Sequence, residues 1–361
     1  MNTGKEVHEG LEGIVVTATA IGHVDGEKGQ LVVRGRDIEV LAETCTYEDA
    51  CVLLWATPEN ARSLQTDLGI ARRDAWERVT RLGDALALPD AMEALRAALA
   101  HVPSVNDARD SVALAASAAV YVAAWSRMQR GLEPVAPDAS LTHAADFLRM
   151  VNGQVPGAAL VRGLDSYWVT VADHGMNAST FTARVVASTG SDMVSSIVAA
   201  VGALKGPLHG GAPGPVLDML DAIASPARAE AWIEEALARG ERIMGMGHRI
   251  YRVRDPRAEV LERAVEALAT AGVRTDRLDL ARAVERAATG VLSQRHPTRA
   301  LKANVEFYTA VLLDTLGLAR SSFSAVFAIG RIVGWAAHVI EQRTKKRIIR
   351  PDSRYTGHLP G

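Results

Sequence analysis

Val185–Leu204 reads VVASTGSDMVSSIVAAVGAL, and Lys205–Ala212 follows it as KGPLHGGA. The first run is apolar, yet it is built from Ala, Val and Ser and carries Asp192 in its middle. A membrane span needs roughly 20 consecutive apolar residues, so the run reads as a packed interior helix. Its small side chains let neighbouring helices approach closely. Val112–Trp125, VALAASAAVYVAAW, repeats the pattern and is too short to span. Aromatics are only 5% of the 361 residues, while Ala and Leu are abundant, which favours helix over sheet.

Outward from these runs, helix starts recur. Thr46-Tyr47-Glu48-Asp49 fits a capping box ahead of Cys51–Trp55. Thr57-Pro58, Ser225-Pro226 and Asp255-Pro256 each set a cap residue before proline at the first helical position. The last of these predicts a helix to about Ala271, stopped by Gly272. Glu133–Asp138 contains two prolines and predicts a loop. Ile14–Ile38 is the one β-like region: Ile14–Thr17 and Gln30–Val33, separated by Asp25-Gly26 and Gly29, predict a small hairpin or two. Strands do not alternate with helices, which excludes a parallel α/β fold. The expected fold is therefore all-α, predominantly helical, with a small N-terminal β-hairpin region. The length predicts two lobes.

Hydrophobic residues at 48% and charged residues at 23% are the balance of a soluble globular protein. A net charge of -2 gives no global field for nucleic acid or an anionic membrane. Cys45 and Cys51 form neither a disulfide framework nor a zinc-ligand set. They predict free thiols in a reducing cytosol. The polar stretch Met1–Gly10 is no signal peptide, so the expected location is cytoplasmic.

Three islands carry chemistry. Leu204–Ala212 surrounds His209 with glycines, which permit close backbone approach to a ligand. It lacks the Gly-Lys-hydroxyl ending of a phosphate loop, and its bland reading is a helix-to-helix turn. Ile243–Arg257 carries Gly245, Met246, Gly247, His248, Arg249, Arg252, Arg254 and Arg257. The third glycine of a dinucleotide fingerprint is missing. Arg257 sits in the first turn of the helix capped by Asp255, where a cation opposes the helix dipole. An anionic ligand shared with the helix N–H groups would reconcile the two; a salt bridge to Asp255 or Glu259 is the alternative. Lys302–Tyr308 sets Glu306 among Val305, Phe307 and Tyr308. Such a carboxylate is a candidate base of raised pKa, or, standing alone, a solvent-facing helix residue. Arg331–Gln342 reads as an amphipathic helix in which His338 and Glu341 are structural neighbours. The basic, proline-broken tail Arg347–Gly357 could be a solvated end, a nucleic-acid arm or an arm completing a neighbouring subunit's site.

Together with Gly10–Gly13 and Asp173–Phe181, these islands resemble, in order and over nearly the whole chain, the citrate synthase family, which includes citrate and 2-methylcitrate synthases. The resemblance implies a helical homodimer. Each subunit would have a large domain (residues 1–211 and 316–361) and a small domain (212–315) around a cleft that closes to exclude water. It implies an acyltransferase of the tricarboxylic acid cycle, condensing acetyl-CoA with oxaloacetate and water to give citrate and CoA. Glu306 matches the base, His209 the histidine that stabilises the enol, and His248 the one that polarises the oxo-acid carbonyl. His174, Arg257 and Arg331 match oxo-acid-binding residues, and Arg350 matches the arginine reaching in from the other subunit. Arg252 and the backbone of Gly245–Gly247 match CoA contacts. No metal and no permanently bound cofactor is implied, and neither nucleic acid nor a membrane is an expected partner.

Four positions depart from the family pattern. Glu306 stands where aspartate is usual, displacing the carboxylate by ~1.5 Å; an uncompensated shift of that order costs roughly 10²-fold in rate. Ala303 replaces a frequent proline, and Gly175 and Pro213 also differ. Other outcomes are a propionyl-CoA-using 2-methylcitrate synthase, since one methyl group changes pocket preference by only about 1–3 kcal/mol, and a ligand-sensing homologue of low turnover.

Overall fold

The computed structural model describes residues 7–57, 60–210, 213–248, 250–296 and 301–358. Strands β1 (Gly22–Asp25), β2 (Gln30–Val33) and β3 (Arg36–Asp37) form an antiparallel meander, with Gly22 opposite Val33 and Val32 opposite Asp37. Ile14–Thr17 is not a strand. It has no ladder partner, and Val15 is 88% exposed. Strand structure starts at Gly22, where a Cβ would lie 2.3 Å from the Asp173 carboxylate. A glycine is needed for the meander to press against that residue.

Helices α1 (Ile38–Thr44) and α2 (Tyr47–Trp55) follow, the second opened by the expected capping box: the Thr46 hydroxyl accepts from Asp49 N–H and the Asp49 carboxylate accepts from Thr46 N–H. Helix α3 (Ala61–Val79) is capped by the Asn60 side chain, not by Thr57. The amide oxygen of Asn60 accepts from two backbone N–H groups at once, and Pro58 lies outside the described residues. Next come α4 (Ala91–Leu99), α5 (Asp107–Met128), α6 (His143–Asn152) and α7 (Ala158–Val171). Glu133–Asp138 is a loop. Val185–Leu204 is not one helix but two, α8 (Ala178–Ser188) and α9 (Met193–Leu204). Gly190, at φ 85°, breaks it, and the Asp192 side chain caps the second piece.

Beyond the first island lie α10 (Pro213–Ile223), α11 (Ala229–Ala238), α12 (Pro256–Thr270), α13 (Leu278–Arg295), α14 (Val305–Thr315) and α15 (Phe323–Thr344). Ser225-Pro226 opens a single 3-10 turn before α11. Asp255 caps α12, which stops before Gly272 at φ 82°.

Helices α5 and α15 form the spine, with α2, α7, α8 and α9 packed on α15 and α3, α4 and α6 on α5. Both reach the length and apolarity of a membrane span, yet most of each is buried inside the protein. Helix α15 is thus buried almost all round, polar residues included, and does not set an apolar face against a solvent face. Helices α10–α14 cluster together, and α12 joins them to α7 and α1. One contact sets up the site. A Cβ on Gly334 would lie 2.1 Å from Ala172 O, and one on Gly330 2.8 Å from Val171 Cγ2. The two glycines, one turn apart, let the end of α7 lie directly on α15.

Candidate active site

That close approach brings Arg331 of α15 beside the end of α7, where its Nε donates to Val171 O. Asp173 and His174 follow two and three residues later. Asp173 is buried and accepts from His338 Nε2 at 2.9 Å and from Gly175 N at 3.0 Å. His338 Nδ1 faces Arg184 Nη1 at 2.7 Å. A guanidinium only donates, so His338 carries its proton on Nε2. Burial alone would raise the Asp173 carboxyl, but His338 and the Gly175 amide hold it below the ordinary range.

The second and third islands are laced together by their backbones. Gly247 N donates to Lys302 O (2.7 Å), Asn304 N to Gly245 O (2.9 Å) and the Asn304 amide to Gly247 O (2.8 Å). Gly245 and Gly247 adopt φ of 74° and 85°, which glycine tolerates best. A Cβ on Gly245 would also meet Phe307 at 2.9 Å. Asp255 joins the starts of α12 and α14, accepting from Arg257 N (3.0 Å) and Val305 N (3.2 Å). His248 and Glu306 are thereby brought to the same side of the site, both beside Arg257 and Asp255.

Three histidines come together here, each neutral at pH 7. His209 is held by a tight loop anchored by Ser324 Oγ on Gly210 O. Its Nε2 lies 3.3 Å from Ser179 N and 2.8 Å from Ser179 Oγ. The Ser179 N–H belongs to the first turn of α8 and only donates, so the His209 proton resides on Nδ1. His248 Nδ1 accepts from Ile250 N (3.0 Å) and Tyr251 N (3.2 Å), while its Nε2 faces Arg257 Nη2 at 3.4 Å; the two shorter backbone contacts assign the proton to Nε2. Burial first, then the nearby guanidinia, lowers both rings to about 4: Arg331 acts on His209 and Arg257 on His248. His174 is 7% exposed, and burial, Arg257 and Arg331 push it well below the usual histidine range.

The charged groups differ in how they are satisfied. Arg257 pairs with Asp255 (Nη2–Oδ2 2.8 Å, Nε–Oδ1 3.0 Å), while its Nη1 makes no hydrogen bond to a described residue. Arg331 is 2% exposed and stacks on Phe327 at 4.6 Å, and no carboxylate among the described residues pairs with it. Burial lowers it to about 10, so it stays charged. The Glu306 carboxylate, half-buried in the first turn of α14, accepts no hydrogen bond from a described residue. Burial raises it to about 7 against the opposing pull of Arg257.

The structure therefore gathers His174, His209, His248, Arg257, Arg331 and Glu306. Arg252 is exposed beside Gly26, whose carbonyl accepts from its backbone N–H. Arg350 is exposed on the tail beyond α15, away from any partner among the described residues. Arg249, Gly211 and Ala212 lie outside the described residues. Ser179 and Tyr251 are site residues that the sequence did not single out; Tyr251 lay inside the second island but was overshadowed by its arginines.

The chain matches the model of the citrate synthase C-terminal domain over residues 10–352. It is 38% identical to the citrate synthase of Haloferax volcanii, across 98% of this chain and 96% of that one. It is 37% identical to the 2-methylcitrate synthase of Mycobacterium tuberculosis H37Rv, across 99% and 93%. The ternary complex of carboxymethyl coenzyme A and oxaloacetate with citrate synthase from Thermoplasma acidophilum superposes with a TM-score of 0.88 at 26% identity, covering 99% of this chain and 98% of that one. The class defined by fold and matches is a predominantly helical acyltransferase. The chain belongs to the citrate synthase family, enzymes that condense an acyl-CoA with oxaloacetate.

Proposed function

We propose that this enzyme condenses acetyl-CoA with oxaloacetate and water to give citrate and CoA. The observation that carries this reading is one site that brings together a carboxylate and a buried guanidinium, neither paired with an opposite charge among the described residues, and two imidazoles neutral at pH 7. Glu306, poised near neutrality, removes a proton from the thioester α-carbon. A carboxylate cannot do so unaided, so the His209 Nδ1–H donates to the thioester oxygen as charge develops there. The enol carbon attacks the ketone carbon of oxaloacetate, whose oxygen receives a hydrogen bond from His248 Nε2–H. Water then cleaves the thioester and releases the CoA thiol. Arg331, Arg257 and His174 hold the dicarboxylate.

The working unit in this reading is a homodimer, with exposed Arg350 completing the partner's cleft. The clustering of α10–α14 supports residues 212–315 as a small domain that closes on residues 1–211 and 316–361. Arg252 and the Gly245–Gly247 turn bind CoA at its edge. The test is thiol release from acetyl-CoA and from propionyl-CoA, with and without oxaloacetate. Release is expected only with oxaloacetate, and with kcat/KM higher for acetyl-CoA. A folded protein that releases no thiol overturns the reading; a preference for propionyl-CoA reassigns the product to 2-methylcitrate.

A further inference from the structure

Tyr251 touches both histidines that this reading places around the oxo acid. It is 1% exposed. Its hydroxyl lies 3.1 Å from His174 Nε2, and its backbone N–H donates to His248 Nδ1 at 3.2 Å. Its ring packs on His248 with centroids 4.8 Å apart and on His174 at 5.7 Å, and the Arg257 guanidinium lies 5.8 Å from its centroid. The Tyr251 hydroxyl has no other hydrogen-bond partner among the described residues. If it accepted from His174, its own proton would be left unpaired in a buried site, which costs free energy. It therefore donates to Nε2, and the neutral His174 ring carries its proton on Nδ1.

The geometry points to Tyr251 as a positioning residue that sets the Nδ1–H tautomer of His174 through its hydroxyl, while its backbone N–H joins that of Ile250 in holding His248 Nδ1. Rings fixed in one tautomer beside Arg257 and Arg331 suit a molecule that presents a carbonyl and a carboxylate together, such as a 2-oxo acid. A hydrogen bond to an imidazole that must donate elsewhere is a second-layer constraint, and loosening it costs ligand affinity before it costs fold. The inference rests on oxaloacetate binding at this cleft, not on turnover.

The experiment is oxaloacetate titration calorimetry on wild type, Tyr251→Phe, His174→Ala and the double variant, alongside steady-state kinetics. Tyr251→Phe keeps the ring and the backbone N–H. It is expected to weaken oxaloacetate binding about tenfold, leave KM for acetyl-CoA within about twofold and leave the melting temperature unchanged. In the His174→Ala background it is expected to change nothing further, because the hydroxyl acts through that ring. Equal affinity of wild type and Tyr251→Phe overturns the inference, as does an undiminished effect without His174. A lower melting temperature with both KM values raised alike would make Tyr251 merely structural and also overturns it. Wild type that binds oxaloacetate but releases no thiol defeats the proposed reaction and leaves the Tyr251 comparison intact in the calorimeter.

Discussion

Two polar clusters meet at the end of α7, and they are built on opposite rules. Behind the site, Asp173, His338, Arg184, Glu341 and Gln342 bond to one another and leave only Arg184 Nη2 without a partner among the described residues: Arg184 donates to Gln342 at 3.0 Å, pairs with Glu341 at 2.8 Å and meets His338 at 2.7 Å. In front, Arg331 and Glu306 have no counter-charge in contact among the described residues, although burial acts on both. Buried polar groups are almost always paired, so the first cluster needs no ligand to explain it. The second does. Charges left open at the surface of a cleft are what a substrate with the complementary groups would complete. The same helix carries both: Arg331 and His338 lie two turns apart on α15.

Removing Glu306 should have the largest effect. Glu306→Ala is expected to lower kcat about 10²–10⁴-fold while the protein stays folded, read by thiol release beside a thermal melt. Retained turnover would remove Glu306 from the chemistry. Next is Asp173→Ala, which breaks the paired cluster. It strands the His338 and Gly175 donors and is expected to cost ~3 kcal/mol of stability in urea unfolding. Arg331→Leu inverts that result. It removes a buried cation that no carboxylate contacts among the described residues, so the unliganded melting temperature should hold or rise. Oxaloacetate affinity should fall about 100-fold, the loss of one buried charge pair, and stabilisation by the ligand should vanish with it. If Arg331→Leu destabilises the unliganded protein as Asp173→Ala does, the contrast between the clusters is wrong.

The paired cluster was only partly legible in the sequence, because its members are distant along the chain. His338 and Glu341 read as structural neighbours, but Arg184 and Asp173 lie 154 and 165 residues from His338. Caps are local, so the starts of α2 and α12 could be read directly. Thr57-Pro58 misled because Asn60, three residues on, makes the better cap. Ile14–Thr17 has strand composition, but composition supplies no partner strand. Glu306 on its own looked like a surface residue; what distinguishes it is the Gly245–Asn304 lacing that folds a second chain segment over it. Tyr251 escaped notice because its hydroxyl partner lies 77 residues away.

The smallest expected effect tests the open cluster most directly. Folding raises Glu306 from 4.5 to about 7, so the folded state binds this proton more tightly than the unfolded state. Below pH 4.5 both states hold it, and its contribution does not vary. Between pH 4.5 and 7 the unfolded carboxyl ionises while the folded one resists, so stability falls as pH rises; above 7 the loss is complete. Glu306→Gln does not titrate and escapes it. Its stability advantage over wild type should therefore grow from pH 4.5 to 7 and then level off at ~1–2 kcal/mol, the side chain's partial exposure keeping the figure low. The same proton governs activity with the opposite sense: kcat/KM should rise towards a plateau above pH 7. His209 and His248, at about 4, add no limb near neutrality. A pH-independent gap between wild type and Glu306→Gln, measured by urea unfolding at fixed protein concentration, would mean that the carboxylate is satisfied in the folded state. The front of the cleft would then follow the same rule as the cluster behind it.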